Sequence, residues 1–361
     1  MLNPRRKKKR QRASLISSLR RCWVGEIMAK IQNTRKRHKS NGISIFTEEY
    51  ELLDGSKKRL VQQVADGSII KRFDKTPLPK KPTDVICPHF LELKWAYGCP
   101  FDCAYCYLKG TFRFRDKGTQ PAYKDREKIK LHVDAFLDIV HPKEVLNTGE
   151  IADSLMSEKR DNPFSKFIIP LFEGQKRHKV LFLTKSNWVE NFLEIEKHDQ
   201  VIMSFSLNAE SVVREWEHRT SSVMERIEAA KNVSDAGYET RIRIDPMVPV
   251  LDWEAQYKEL IDEIFSNFRP ERITIGSLRG LQSTINGVKD RKDKSWVDYL
   301  SESSNWGKKI ASNLRYKMYS TIVDYLKDSY NFRNVALCKE TLEMWKKLGM
   351  NYKEIRCNCI W

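Results

Sequence analysis

Six apolar runs rich in β-branched residues recur between residues 90 and 277, and segments with helical periodicity separate them. The runs cover residues 90–96, 144–147, 179–184, 201–207, 240–248 and 272–277. Their length and composition are typical of strands that are buried on both faces. Strands that alternate with helices form right-handed βαβ units around a parallel sheet. Because six units are too few for a closed eightfold barrel, we predict an α/β fold with an open, partial (β/α)6 barrel.

The segment 222–236 shows most clearly how the helices are encoded. Ser222 can act as an N-cap, Glu225 stands three residues later as in a capping box, and Gly237 ends the segment. Further helix-like segments cover residues 124–140, 163–176, 187–197 and 253–267. The predicted helices therefore lie between the predicted strands, as βαβ units require.

Composition divides the chain into four regions. Residues 1–40 hold 14 lysines or arginines against one glutamate, and we expect a disordered basic tail. Residues 41–84 are predicted to form a strand-bearing extension and a proline-rich linker, and residues 85–280 the core. Residues 281–361 are expected to be mostly helical, with an amphipathic stretch near 308–327.

The net charge of +17 is concentrated in this basic tail, so it does not by itself indicate a nucleic-acid enzyme. The tail either attracts phosphates in a salt-dependent way or is merely solvated, and Met28 is an alternative start. No apolar stretch is long enough to cross a bilayer, and no secretory signal follows the basic residues. We therefore expect a cytoplasmic protein with no membrane partner.

Three of the 8 cysteines lie close together, directly after the first predicted core strand. The segment GCPFDCAYCYL places Cys99, Cys103 and Cys106 in the spacing C-x-x-x-C-x-x-C. Clustered cysteines in an intracellular protein more often bind metal than form disulfides. Cysteine thiolates hold iron–sulfur clusters, and three of them leave one iron of a four-iron cluster open to an exogenous ligand. The alternative is a structural zinc site, which needs a fourth ligand from elsewhere.

This loop resembles the cluster loop of the radical S-adenosylmethionine (SAM) superfamily, and specifically that of the spore photoproduct lyase family. The resemblance covers residues 85–280 and the extreme C-terminus. It implies a [4Fe–4S] cluster, SAM as the ligand of the open iron, and reductive cleavage of SAM to a 5′-deoxyadenosyl radical. It also implies a substrate of the nucleic-acid type and an electron donor such as a flavodoxin or a ferredoxin.

The resemblance assigns SAM contacts to three further strand ends. The segment NTGEIADS supplies Gly149, for close approach of the methionyl part, and Glu150, as acceptor from the ammonium group. The segment LFLTKS supplies Lys185 as a partner of the SAM carboxylate. The segment SFSLN supplies Ser206 and Asn208 for the ribose or methionine part. An ordinary strand-end turn or surface position is the alternative at each of these positions.

The fifth predicted strand carries Arg241, Arg243 and Asp245 at alternating positions, and hence on one face. If this face points into the barrel, the three side chains are candidate contacts of substrate or SAM. If it points outward, they contact solvent. Charged groups are rarely buried without a partner, so an inward cluster would have to be internally paired.

One departure from the family concerns the source of hydrogen. Lesion-repairing members carry a further cysteine shortly after the second strand, which donates hydrogen to the substrate radical. Here the matching stretch reads LNTG from residue 146 and contains no cysteine. Three explanations stay open: Tyr105 or Tyr107 supplies the hydrogen, a distant cysteine comes into reach, or the reaction differs.

The C-terminal segments ALCKET and RCNCIW contribute Cys338, Cys357 and Cys359. Such thiols can form a second metal site, an auxiliary cluster or a redox pair, or be small buried side chains without a special role. The rival to the enzyme hypothesis is a zinc-stabilised nucleic-acid-binding protein that uses the basic tail and the cysteine loops without catalysis.

Overall fold

The computed structural model describes residues 35–139, 141–288, 292–304 and 306–361. Its main feature is an 11-stranded mixed sheet in which the strands lie side by side in chain order. The strands are β1 (Lys36–Ser40), β2 (Ile43–Glu51), β3 (Lys57–Val64), β4 (Ile70–Phe73), β5 (Phe90–Leu93), β6 (Val145–Asn147), β7 (Lys179–Thr184), β8 (Val201–Ser206), β9 (Glu239–Met247), β10 (Ile273–Ser277) and β11 (Val335–Leu337).

Helices connect these strands and cover the sheet. The α-helices of the described residues are α1 (Leu108–Thr111), α2 (Arg126–Asp138), α3 (Phe164–Glu173), α4 (Glu190–Leu193), α5 (Glu210–Trp216), α6 (Val223–Asp235), α7 (Trp253–Asn267), α8 (Gln282–Gly287), α9 (Ser312–Tyr330) and α10 (Leu342–Lys347). Short 3-10 helices cover Lys292–Tyr299 and Tyr352–Glu354.

Several short strands pair outside the main sheet. They are Val85–Ile86 with Glu340–Thr341, Ala96–Tyr97 with Ala122–Tyr123, Asp102–Cys103 with Glu217–His218, and the three-stranded set Arg279–Gly280, Gly307–Lys309 and Glu302–Ser304. Each pair ties a loop at one end of the main sheet to a segment distant in sequence.

Strands β1 to β5 form the antiparallel part of the sheet. Strand β4 joins the two parts because it pairs antiparallel with β5, with Ile70 opposite Leu93 and Phe73 opposite Phe90. Residues 36–40, which the sequence analysis assigned to the basic tail, form the edge strand β1. The rest of the predicted tail, residues 1–34, lies outside the described residues.

Strands β5 to β11 are all parallel to their neighbours. Their apolar runs are buried on both faces: every residue of β8 is buried, for example, because helices cover one face and the interior of the site covers the other. The sequence analysis predicted six of these seven strands and did not predict β11. The large mixed α/β sheet is confirmed. Within the described residues, β11 pairs only with β10, so the main sheet stays open.

Helix α6 forms as its sequence predicts. The backbone N–H of Ser222 donates to the Glu225 carboxylate at 2.7 Å, and the Glu225 N–H donates back to the Ser222 hydroxyl at 3.3 Å. This reciprocal capping box satisfies donors that the first helical turn leaves free. Gly237 ends the segment with a φ of +93°, a conformation that glycine adopts without strain.

The segment after α10 returns to the interior of the sheet and is anchored there by Asn358, which is 1% exposed. The Asn358 amide group donates to the Ser204 hydroxyl at 2.8 Å, and the Thr274 hydroxyl donates to the Asn358 side-chain oxygen at 2.7 Å. Arg241 donates to the Asn358 carbonyl at 2.8 Å. These bonds to β8, β9 and β10 hold the neighbouring cysteines inside the fold. Among the described residues, none of the helices combines the length and the apolar character that crossing a bilayer requires.

Candidate active site

The cysteine loop begins at a glycine that no other residue could replace without displacement. Gly98 has a φ of +84°, and a Cβ built on it would lie 2.4 Å from the carbonyl oxygens of Thr119 and Gln120. Immediately afterwards, the Cys99 N–H donates to the Thr119 carbonyl at 2.8 Å. The segment 119–120 therefore packs directly on the start of the loop and fixes the position of Cys99.

A second clamp holds the middle of the loop. Cys103 pairs antiparallel with Glu217, and the Ala104 N–H donates to the Trp216 carbonyl at 2.7 Å. The Tyr105 hydroxyl donates to the Glu217 carboxylate. The loop is thus fixed at its start and in its centre, as a preformed ligand site requires.

The three cysteines of the loop lie within electrostatic reach of one another, because Cys103 and Cys106 both act on Cys99. Cys103 is buried, whereas Cys99 and Cys106 are partly exposed. Burial raises the pKa of all three thiols, and the sulfurs of Cys103 and Cys106 raise that of Cys99 further. Free thiols here stay protonated, so a metal cluster that binds them as thiolates must displace their protons.

The donor set fits an iron–sulfur cluster better than a zinc ion. Two sulfurs bound to one zinc at about 2.3 Å lie within about 4.6 Å of each other. In the described part of the chain, no three His, Cys, Asp or Glu side chains are grouped closely enough to hold a metal ion. The three loop thiols thus do not form the closed four-ligand site of a structural zinc ion, whereas each iron of a cluster takes only one cysteine. The zinc hypothesis is therefore not favoured.

Gly149 and Glu150 follow β6 and lie near the cysteine loop, because Gly98 forms a parallel bridge with Ala152. A Cβ on Gly149 would lie 2.6 Å from the Leu183 Cβ, so this glycine is required by packing against β7. Glu150 lines a narrow interior cavity. Among the described residues its carboxylate has no hydrogen bond or ion pair, which leaves it free to bind a cationic group.

Lys185, Ser206 and Asn208 lie together at the ends of β7 and β8, but other protein groups already bind them. The Lys185 ammonium is 2.6 Å from the Glu217 carboxylate. The Ser206 carbonyl accepts a hydrogen bond from Arg226 at 2.9 Å. The Asn208 side chain accepts from the Tyr257 hydroxyl and donates to the Pro246 carbonyl, both at 2.8 Å.

Glu217 is the central charged residue of this region, and the sequence analysis missed it. Its fully buried carboxylate binds Lys185 at 2.6 Å and Arg226 at 2.7 Å. Although burial acts in the opposite direction, these two cations lower the pKa of Glu217 to about 2. Glu217 follows helix α5 in the undistinguished segment REWEHRT. Only its pairing with the cysteine loop reveals its importance.

Asp153 was part of the quoted segment NTGEIADS but had no predicted role. Its carboxylate accepts hydrogen bonds from the Thr184 hydroxyl at 2.8 Å and from the Lys185 N–H at 2.9 Å. It is buried, and burial raises its pKa despite these bonds. Asp153 therefore ties the end of β7 to the loop that carries Glu150.

The alternating charged residues of β9 face the interior and are internally paired. Arg243 lies 2.7 Å from Asp245, and Arg279 lies 2.7 Å from the other oxygen of the same carboxylate. Despite burial, Arg279 and Arg243 hold the pKa of Asp245 far below its usual value. The inward orientation makes Arg243 a lining residue of the cavity that also contains Glu150.

The two predicted tyrosines, Tyr105 and Tyr107, lie in different environments. Tyr105 is buried, and its hydroxyl is held by Glu217. Tyr107 is 39% exposed. Burial raises the pKa of Tyr107, and the Glu150 carboxylate and the Cys106 thiol raise it further, so its hydroxyl lies within electrostatic reach of both.

Residues 90–276 match the family described as spore photoproduct lyase. The chain is 27% identical over 178 residues to the spore photoproduct lyase of Clostridium acetobutylicum, covering 47% of this chain and 50% of that protein. It is also 27% identical over 175 residues to the enzyme of Bacillus subtilis strain 168, covering 48% and 50%. The chain thus spans about half the length of these curated relatives.

Solved structures show the same fold. A spore photoproduct lyase complexed with dinucleoside spore photoproduct gives a TM-score of 0.59 at 19% identity, covering 68% of this chain and 75% of that one. A double mutant of spore photoproduct lyase with bound AdoMet and the same dinucleoside gives 0.54 at 19% identity, covering 69% and 75%. The family resemblance inferred from the cysteine loop is confirmed.

Proposed function

This chain belongs to the spore photoproduct lyase family, and we propose on that basis that it is a radical SAM enzyme. Cys99, Cys103 and Cys106 would hold a [4Fe–4S] cluster. When bound, a cluster of this class supplies the electron that splits SAM into methionine and a 5′-deoxyadenosyl radical. The observation that carries the proposal is the clamped loop of three neighbouring thiols beside the unpaired carboxylate of Glu150.

Each part of the site has a task in this proposal. The clamps from Thr119 and Glu217 keep the loop in place, so little order has to be gained on metal binding. Glu150 would accept hydrogen bonds from the SAM ammonium group. Lys185 is bound to Glu217, so pairing with the SAM carboxylate would require it to share or leave that partner. Ser206 and Asn208 would shape the wall of the SAM site.

We further propose that the seven parallel strands form the wall of a partial barrel with the reaction site inside it. The carboxyl ends of β5, β6, β7 and β8 carry the cysteine loop and the proposed SAM contacts, as barrel enzymes place their functional groups. The short strand Val85–Ile86, which precedes β5, pairs with Glu340–Thr341, which follows β11, and this pair ties the two flanks of the open wall together.

For the substrate we propose a nucleic-acid base. The support is the dinucleoside spore photoproduct bound to structural relatives. The basic tail would add salt-dependent affinity for phosphates, and a flavodoxin or ferredoxin would deliver the electron.

The test is anaerobic reconstitution of the full chain with iron and sulfide, followed by reduction in the presence of SAM. We expect about four irons and four sulfides per chain, as a [4Fe–4S] cluster contains, and release of methionine and 5′-deoxyadenosine. Replacing Cys99, Cys103 or Cys106 by alanine should abolish both iron retention and SAM cleavage. Cys87→Ala is the matched control and should retain both. Stoichiometric zinc without sulfide, or a full cluster that never cleaves SAM, would contradict the proposal.

A further inference from the structure

Four cysteines from distant parts of the chain line one interior cavity. They are Cys87, Cys338, Cys357 and Cys359, which we call the thiol pocket. Glu150 and Arg243 line the same cavity. All four thiols are free. The candidate active site described above uses none of these cysteines. Glu150, the proposed acceptor for the SAM ammonium group, nevertheless lines the same cavity.

Polar side chains around the thiol pocket donate hydrogen bonds to the sulfurs. Arg243 lies 3.1 Å from the Cys338 sulfur and 4.0 Å from the Cys359 sulfur. The Asn147 amide donates to the Cys359 sulfur at 3.7 Å. Asn147 stands at the end of β6, in the stretch LNTG where the sequence analysis found no cysteine. The thiol of Cys359 therefore reaches the strand end that lacks one of its own.

Cys357 and Cys359 line the same cavity, and each affects the pKa of the other. The hydrogen bond from the Cys357 thiol lowers the pKa of Cys359, and the charge of Arg243 lowers it further. The same bond and burial raise the pKa of Cys357. Both residues line the cavity; Cys357 is buried, whereas Cys359 is partly exposed.

The pair lies close to the proposed place of radical formation. Tyr107 is adjacent in sequence to Cys106, and the charges of Glu150 and Arg243 both act on its hydroxyl. Glu150 in turn acts electrostatically on Cys359. Tyr107, Glu150 and Arg243 therefore lie within electrostatic reach of one another, and Glu150 and Arg243 line the same cavity as the thiol pair. By contrast, the hydroxyl of Tyr105 is held by Glu217 outside this cavity.

We propose that the Cys357–Cys359 pair donates a hydrogen atom to a carbon-centred radical formed in this cavity. This inference rests on the proposed function. In the step, one S–H bond of the pair breaks and one C–H bond forms on the radical. The unpaired electron then remains on sulfur and is shared between the two neighbouring sulfurs. A thiol is suited to this task because its S–H bond is weaker than the O–H or N–H bonds of the other lining residues.

The first experiment tests the reactivity of the pair on the full chain without reconstitution. Under anaerobic conditions, iodoacetamide labelling followed by peptide mass spectrometry should modify Cys359 at least tenfold faster than Cys357, because Cys357 is buried whereas Cys359 is partly exposed and has a lowered pKa. Diamide, which accepts two electrons and two protons, should then link Cys357 to Cys359 as a disulfide. Equal labelling of all four pocket thiols, or a disulfide that omits Cys359, would overturn the assignment.

The second experiment uses the reconstituted enzyme in D2O with SAM and reductant, without substrate. Thiol hydrogens exchange with D2O, so a radical quenched by the pair yields deuterated 5′-deoxyadenosine. Cys359→Ala should lower the deuterium content per 5′-deoxyadenosine at least threefold, and the near-isosteric Cys359→Ser should do the same. Cys87→Ala, from the same cavity, should leave the ratio unchanged.

The outcomes separate the two proposals. If the wild-type chain binds a cluster but forms no 5′-deoxyadenosine, the proposed function fails, while the labelling and diamide results still decide the reactivity of the pair. If 5′-deoxyadenosine forms and its deuterium content is the same in wild type and both Cys359 variants, the hydrogen-donor role is wrong and the radical SAM assignment stands.

Discussion

The buried carboxylate of Glu217 offers the sharpest test of how the site is held together. Its side chain and that of Arg226 have no exposed surface, and Lys185 is 17% exposed. Glu217→Gln preserves the shape of the side chain but removes its charge. The substitution leaves two cations in a buried site without a counter-charge, an arrangement that protein interiors tolerate poorly.

Two independent arguments give a similar magnitude for the loss of unfolding free energy in Glu217→Gln. Removing one partner of a buried ion pair costs about 3–5 kcal/mol. The pKa of Glu217 falls from 4.5 to about 2 on folding. At about 1.4 kcal/mol per pKa unit, this difference corresponds to about 3 kcal/mol. We therefore expect Glu217→Gln to lower the free energy of unfolding at pH 7 by about 3 kcal/mol.

The lowered pKa of Glu217 also determines how the stability loss caused by Glu217→Gln depends on pH. Because the folded-state pKa lies below the unfolded-state value, the stabilisation is complete above about pH 4.5 and is lost as the pH falls towards 2. The difference in unfolding free energy between wild type and Glu217→Gln should therefore shrink over this interval. Urea unfolding followed by circular dichroism, at several pH values, measures it.

The matched control is Glu194→Gln, which breaks an exposed ion pair with Lys166 of the same length, 2.6 Å. This control should cost less than about 1 kcal/mol. If Glu217→Gln alone does not fold, the double variant with Lys185→Met should recover part of the loss, because it removes one unpaired cation. A Glu217→Gln cost indistinguishable from that of the control would refute the electrostatic reasoning.

Three further predictions concern single positions. Gly98→Ala should destabilise the chain by about 2 kcal/mol or more, because the backbone there is left-handed and the new Cβ would collide with two carbonyl oxygens, and it should reduce iron retention. The control Gly118→Ala is also at positive φ but in open space, so it should cost about 1 kcal/mol and retain iron. Glu150→Gln should change the unfolding free energy by less than about 0.5 kcal/mol, yet weaken SAM binding to the reconstituted enzyme about tenfold by calorimetry. Glu144→Gln should cost about 3 kcal/mol in urea unfolding because it strands the buried Arg72 guanidinium, and a loss below about 1 kcal/mol would contradict that.

Local sequence patterns predict much of the fold. Six parallel strands were found from runs rich in apolar and β-branched residues, and helix α6 because Ser222 and Glu225 form a capping box. Strand β11 was missed because Val335–Leu337 is a short run of 3 residues inside a region interpreted as mostly helical. Residues 36–40 were assigned to a tail because their charge resembles that of the preceding residues, whereas β2 supplies a pairing partner.

The candidate site, like the fold, could be predicted only where local sequence patterns reveal it. Cys99, Cys103 and Cys106 were singled out by their spacing, which is a local property of the sequence. Glu217 was missed because its importance comes from Cys103 and Lys185, which are distant in sequence. The contact between Asn147 and Cys359 spans 212 positions, so no local pattern could reveal it. The packing of Gly149 against Leu183 and the ion pair of Lys185 with Glu217 likewise come from residues distant in sequence.

The position of β1 at the edge of the sheet has a consequence for association between copies. An edge strand carries unpaired backbone groups and can recruit a strand from another molecule. Here Lys36, Arg37 and Lys39 are exposed along that edge, which in the described part of the chain pairs only with β2. A second copy added there would stand about 4.8 Å away and bring like charges together. The cations of this strand thus protect the open sheet against aggregation.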